Sequence, residues 1–446
     1  MTDTAPSSSA TAGTVPTFRQ HRTAERASRV GLLSALHRFV AARIHEIRID
    51  PALRVYGACL ALSNLLTAVF WTTTQPLDRI LSSSLPVCWP FFESCGTWRV
   101  LGPHAIDALL ASLVILSAAN AVLFANDRLV PAALISLVVL SSVKTALILQ
   151  DYRLVLNQHY MAAWALVVYL FVPSKRRSLL HLTVAFYVWA GLLKLNHEWL
   201  SGAALYGRRP LDLPAALVPA ECVYVVILEL GAVFGILSRR AWAFWGALIQ
   251  LVLFHIASFW VVGFFYPVLM FLLLSIVPMG RLIREPSAEA VRPAPRVVGL
   301  SWRYERKSTY LVLAMFSIMQ MIPRLFPGDP SITGEGRVFA LNMFDAPTRC
   351  VATVTPRVGS NVSVPEKFNI PFLQPRIACD PIVYLEAAKQ MCKGTELRPR
   401  LEDFDLTLAS GRRADRALQL VVSIQFFCAS SPRYSFLRHN PWIRAG

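Results

Sequence analysis

Charge is scarce in this sequence. Of 446 residues, only 16% are Asp, Glu, Lys or Arg, where an average soluble domain carries roughly 25%. That shortage argues against an ordinary soluble enzyme, and an apolar content of 55% argues against a disordered chain. Acidic residues are the scarcest charges: 27 against 44 Lys and Arg, for a net charge of +17. No Gly-rich phosphate loop, CxxC zinc pattern or long internal repeat occurs, so phosphate cradles, zinc modules and solenoids are set aside. Residues 1–18 lack the apolar stretch that a signal peptide requires and read as a Ser/Thr/Ala/Pro-rich disordered tail.

What is abundant is apolar sequence in long runs, with a mean hydropathy of +0.47. About 20 such residues cross a ~30 Å hydrocarbon core. Spans are expected near 54–74, 104–125, 129–150, 158–173, 178–198, 217–237, 241–262, 264–279 and 308–326, with a bend after Gly263. Residues 19–53 mix arginines with recurring apolar residues, the pattern of a basic helix lying on a membrane face. The expected fold is an α-helical polytopic membrane protein of about nine transmembrane helices. It has a transmembrane domain over 54–326 and a small extracytoplasmic α+β domain over 327–446. Strand-like runs at Arg349–Val354 and Leu418–Phe427 and a helical stretch at Pro381–Cys392 carry the last reading.

The positive charge maps sidedness. With the N-terminus cytoplasmic, the inside segments hold 21 Lys and Arg and the short outside loops hold 5, as the positive-inside rule requires. The excess is thereby explained without nucleic acid; the lipid bilayer is the expected partner and a bacterial inner membrane the expected location. Cys88, Cys95, Cys350, Cys379, Cys392 and Cys428 all fall outside in this topology, which suits disulfides in an oxidising compartment.

Ionisable residues inside the spans are candidates for function by default. Lys194 lies 16 residues into the fifth span, about 24 Å up at 1.5 Å per residue. Desolvation there would let a neutral amine act as a base. Spacing alone leaves open a lysine that snorkels outward and pairs with Glu198 at i+4. His159, at the outer start of the fourth span, falls near the same height and is a neutral hydrogen-bonding partner. Glu229, near mid-membrane, either pairs with a cation or bridges helices. His255, with the glycine and aromatics from Gly263 to Tyr266, reads as a close helix contact or a flat-ligand pocket. Lys144 is a fifth buried charge, nearer the outer end of its span. No metal-ligand pattern is present.

These residues lie in segments that resemble the vitamin K-dependent γ-glutamyl carboxylase family, including its bacterial-type members with the same helical membrane domain. Tyr187-Val-Trp-Ala-Gly-Leu-Leu-Lys194-Leu-Asn-His-Glu-Trp199 is similar to the family's lysine segment. Asn157-Gln-His159-Tyr160, Leu228-Glu-Leu-Gly-Ala232 and His255 to Tyr266 resemble further family pieces in the same order. Outside, Asn342-Met-Phe344, Leu385 to Cys392 and Phe404 to Leu408 continue the likeness. Leu193 stands where vertebrate members carry a second lysine, and the outer region is far shorter than theirs.

The resemblance implies an enzyme. Lys194 would deprotonate reduced vitamin K (phylloquinol or menaquinol), and His159 would stabilise developing negative charge. Glu229, His255 and Tyr266 would help bind the cofactor. Reaction with O2 would generate a strong base on the way to the epoxide. That base would remove a γ-proton from a glutamyl side chain of a protein or peptide, and CO2 would trap the carbanion. An apolar site protects such a base from water. The resemblance also implies a Cys88–Cys392 bridge. Two other readings stay open: a non-carboxylating quinone-linked oxidoreductase, and a non-enzymatic scaffold or transporter.

Overall fold

The computed structural model describes residues 18–98, 102–205, 214–283, 302–341, 348–358, 361–375, 377–393, 403–412 and 417–444. The expected tail over 1–18, save Phe18 at the start of the first helix, and the Asn342-Met-Phe344 turn lie outside these residues.

The chain is largely helical. Helix α1 (Phe18–Ile49) precedes α2 (Pro51–Thr73), α3 (Pro103–Leu123), α4 (Val130–Gln150), α5 (Asn157–Phe171) and α6 (Lys175–Leu193). Then come α7 (Val218–Leu230), α8 (Ala241–Val262), α9 (Phe265–Leu282) and α10 (Trp302–Met321). Proline stands in the first turn of α2, α3, α4 and α7, where its missing N–H forfeits no helical bond. Asp50 closes the start of α2 by accepting from Ala52 N and Leu53 N, satisfying two otherwise orphan donors.

All nine expected apolar segments are helical, but seven meet the length and hydropathy needed to cross a membrane. The two that fall short are α5 and α6. The first has 15 residues, and the second opens on Lys175, Arg176 and Arg177. Across the surface of the bundle, large apolar side chains face outward, among them Ile115, Val122, Ile135, Leu253 and Ile318. Water would oppose such a surface and lipid would not. Trp242 and Trp260 of α8 are both exposed and lie about 27 Å apart along the helix. Their separation matches the ~30 Å between the two interfacial aromatic belts.

The loops sort to two ends. At one end Arg176 pairs with Asp50 and donates to Ile283 O. Arg48 pairs with Asp127 there, and Arg281 donates to Arg239 O. At the other end the segment after α4 anchors the C-terminal domain. Arg153, fully buried, pairs with Asp151 and donates to Ile80 O at 3.1 Å and Pro371 O at 3.2 Å.

The C-terminal region is a small α+β unit. Strands β1 (Thr348–Val358), β2 (Asn361–Val362), β3 (Glu366–Lys367), β4 (Asp403–Arg412) and β5 (Gln419–Ile424) form one antiparallel sheet. Its order is β2-β1-β4-β5, with β3 also on β1. Phe404, Leu406 and Leu408 alternate inward along β4, as the strand period of two requires. Helix α11 (Pro381–Cys392) packs among these core side chains.

The six cysteines expected on the outside are all paired, but the expected Cys88–Cys392 bridge is not formed. Cys88 bonds Cys95, Cys350 bonds Cys379, and Cys392 bonds Cys428. The correction has a local cause. Successive turns from Trp89 to Phe92 and Phe92 to Cys95 return Cys95 to within 5.4 Å of Cys88, Cα to Cα, a spacing that suits a bridge. The loop and helix still meet: Lys389 pairs with Glu93, and Gln390 Nε2 donates to Cys88 Sγ.

Candidate functional site

Helix α6 ends at Lys194, whose N–H bonds Gly191 O at 3.1 Å. Asn196 then caps a short helix, His197–Leu200, by accepting from Trp199 N. The helix break is enclosed by protein, and Lys194 is 3% exposed. Its ammonium lies 5.3 Å from the Trp199 ring centre. Trp199 is itself pinned to α7 by a bond to Cys222 O.

Lys194 Nζ donates to both carboxylate oxygens of Glu229, at 2.6 and 2.7 Å. Glu229 is 1% exposed. The partner is thus 35 residues away, and the i+4 alternative, Glu198, is not the residue that holds Lys194. Close helix approach makes the contact. A Cβ on Gly191 would stand 2.8 Å from Leu230 Cδ2 and 3.0 Å from Glu229 Cβ, so only glycine lets α6 and α7 come this near.

A second polar contact lies beside the first. Tyr187, two turns before Lys194 on α6, meets His255 Nε2 of α8 at 2.6 Å through its hydroxyl. His255 is fully buried, and its Nδ1 finds no partner among the described residues. Tyr266 packs edge-on against the His255 ring at 5.5 Å. Tyr266 and Lys194 line one cavity of about 60 Å³ with Trp199, Phe254, Val225 and Ser258.

His159 is elsewhere. Its ring sits between Trp71 and Phe265, 5.8 and 5.6 Å away, and it lines a different cavity together with Lys144. Lys194, Glu229, His255 and Tyr266 therefore come together, whereas His159 joins Lys144. Sequence reasoning did not single out Tyr187 or Trp199 as site residues. Tyr187 was findable as the residue seven before Lys194 on the same helical face; Trp199 lies beyond the end of the helix and gave no periodic signal.

The lining of the Lys194 cavity is mostly apolar and aromatic, with Lys194, Glu221 and Ser258 as its polar members; Glu229 holds Lys194 from outside that lining. The cavity's volume is below the several hundred Å³ typical of ring-ligand pockets. Among the described residues, no group of three or more His, Cys, Asp or Glu is placed to hold a metal ion. Comparison with family models, curated proteins and solved structures finds no match to this chain.

Proposed function

We propose that this chain is a membrane enzyme of the vitamin K-dependent carboxylase type. It would couple quinol epoxidation at the Lys194 centre to carboxylation of a glutamyl side chain. One observation carries the reading: a buried lysine, held by a buried carboxylate, faces a largely apolar, aromatic cavity beside a tyrosine–histidine contact. The reading also rests on the resemblance of the lysine segment. Nine spans are proposed, with α5 and α6 crossing as a hairpin. Adding or removing that hairpin leaves parity unchanged, so a cytoplasmic N-terminus keeps the disulfide-bonded domain extracytoplasmic in either count.

A bound quinol would supply the redox change and, with oxygen, the strong base. The protein's part is positional. Lys194 Nζ, facing the cavity, would first give a proton to Glu229 within 2.7 Å, and the neutral amine so formed would receive a hydroxyl proton of the quinol. Charge is then moved over one short hydrogen bond rather than through solvent. Trp199, fixed through its own N–H, holds the ammonium by a cation–π contact. His255 is oriented by Tyr187, and Tyr266 closes the wall. Burial of the whole set excludes water that would quench a strong base.

The test is turnover of reduced vitamin K by purified protein in lipid nanodiscs, with and without a glutamyl peptide. Lys194→Ala abolishes epoxidation while the fold persists; unchanged turnover refutes the base assignment. Epoxidation without peptide carboxylation selects the non-carboxylating oxidoreductase instead.

A further inference from the structure

The second membrane cavity has its own chemistry. Lys144 is the fifteenth of the 21 residues of α4, about 9 Å below that helix's outer end. It is 7% exposed, and among the described residues no hydrogen bond or ion pair to its ammonium occurs. An uncompensated cation at this depth is costly. Facing the same space is His159, 8% exposed, whose Nε2 has no partner among the described residues. A buried amine without a partner among the described residues and an imidazole thus line one crevice.

The rest of the lining is built to leave that crevice open. Ala162 and Ala163 of α5 line the crevice with Lys144 and bring little side-chain volume into it. Ser63 and Thr145 direct their hydroxyl protons to the carbonyls of Leu60 and Ser141 in their own helices, so neither competes for the cavity's occupant. Thr145 and Ala163 are exposed and flank a mouth between α4 and α5. The volume is about 50 Å³, and a water-sized occupant needs roughly 10–15 Å³ measured this way. Three or four heavy atoms fill it.

We infer that the Lys144–His159 crevice is a binding site for a small oxyanion, a monocarboxylate such as formate or acetate, or hydrogen carbonate. The Lys144 ammonium supplies the counter-charge, and His159, carrying its proton on Nε2, donates to the second oxygen. A phosphodiester lipid head bears the same charge but exceeds the volume. The inference is independent of the reaction assigned to Lys194.

The test uses the full chain in zwitterionic nanodiscs, with gluconate, too large for the crevice, as background anion. Formate, acetate and hydrogen carbonate are titrated, and the unfolding midpoint is read by tryptophan fluorescence. The expected result is a saturable rise of the midpoint that vanishes in Lys144→Met. Ala163→Leu, which narrows the mouth at an exposed position and keeps the lysine, also loses the rise; it carries the test if Lys144→Met does not fold. No saturable rise in the parent protein overturns the inference. The same rise in both variants, or a rise elicited only by adding phosphatidylglycerol to the bilayer, overturns it as well.

Discussion

Breaking the Lys194–Glu229 pair from one side leaves the other charge buried alone. Both oxygens of Glu229 are engaged, at 2.6 and 2.7 Å, and the side chains are 4% and 1% exposed. Removing one partner of such a pair costs about 3–5 kcal/mol, because the survivor is neither solvated nor neutralised. Glu229→Gln keeps one acceptor oxygen and belongs at the low end, about 3 kcal/mol. Glu229→Leu keeps none and belongs near about 5 kcal/mol. The double variant Lys194→Met/Glu229→Leu removes both charges and should lie within about 1 kcal/mol of the parent, since apolar replacement of a buried pair is commonly neutral. The measurement is reversible unfolding in mixed micelles for the parent, Glu229→Gln, Glu229→Leu, Lys194→Met and the double, the last three analysed with the parent as a double-mutant cycle. A single-variant cost below about 1 kcal/mol, the scale of interhelical hydrogen bonds in membranes, refutes the reasoning. So does a double variant that costs the sum of its parts. Quinol turnover measured on the same proteins separates structure from chemistry. The double variant should be folded and inactive; if it turns over at the parent rate, the pair only holds helices together.

Three other outcomes are expected. Gly263→Ala lowers stability by about 1–3 kcal/mol, because Gly263 has φ 75° and ψ −172° while no atom lies within 4 Å of an added Cβ. Unfolding titration should therefore find the same loss for Gly263→Ser, as the cause is backbone and not crowding. Non-reducing peptide mapping should recover Cys88–Cys95 and Cys392–Cys428 and no Cys88–Cys392 peptide. Cys392→Ala/Cys428→Ala, opening a separation of 36 residues, should cost about 4 kcal/mol against about 2 for Cys88→Ala/Cys95→Ala. In the outer domain, the Arg357 hydrogen bond beside Asp405 holds that carboxyl below the usual carboxylate range. A depressed folded-state value means the contribution is present above the unfolded value, about pH 4, and is lost as pH falls through the folded one. Asp405→Asn should flatten that acid limb of the stability profile and leave the region above pH 5 parallel to the parent.

The sequence carried those parts of the structure that depend on local composition. Apolar runs of 20 residues declared α2, α3 and α4 directly, and arginines at the loops near 128, 176 and 239 declared which ends meet. The outer cysteines declared an oxidised domain but not its pairing. A bridge between Cys88 and Cys95 depends on two consecutive turns, and turn geometry in the Trp89–Cys95 segment has no periodic signature. The candidate site was half legible. Lys194 and Glu229 each stood out as a charge among apolar neighbours, yet their pairing rests on Gly191, whose missing side chain lets two helices close to contact. Nothing in the spacing of 35 residues states that. The i+4 neighbour Glu198 satisfied every local rule and was still not the partner, because α6 stops at Lys194 and the i+4 geometry ends with the helix.

His159 and Lys194 were expected at one centre because antiparallel spans put them at similar heights. Height fixes only one coordinate. The other two are set by the opening turn of α9, where consecutive residues on a helix point about 100° apart. Phe265 stacks on Phe70 at 4.4 Å and lies tilted against the His159 ring at 5.6 Å. Tyr266 faces His255 and the Lys194 cavity. Phe265 thus packs with Phe70 and His159, and Tyr266 with His255 and the Lys194 cavity, so neighbouring residues of one turn serve two separate centres, and no reading of height along the spans could have told them apart.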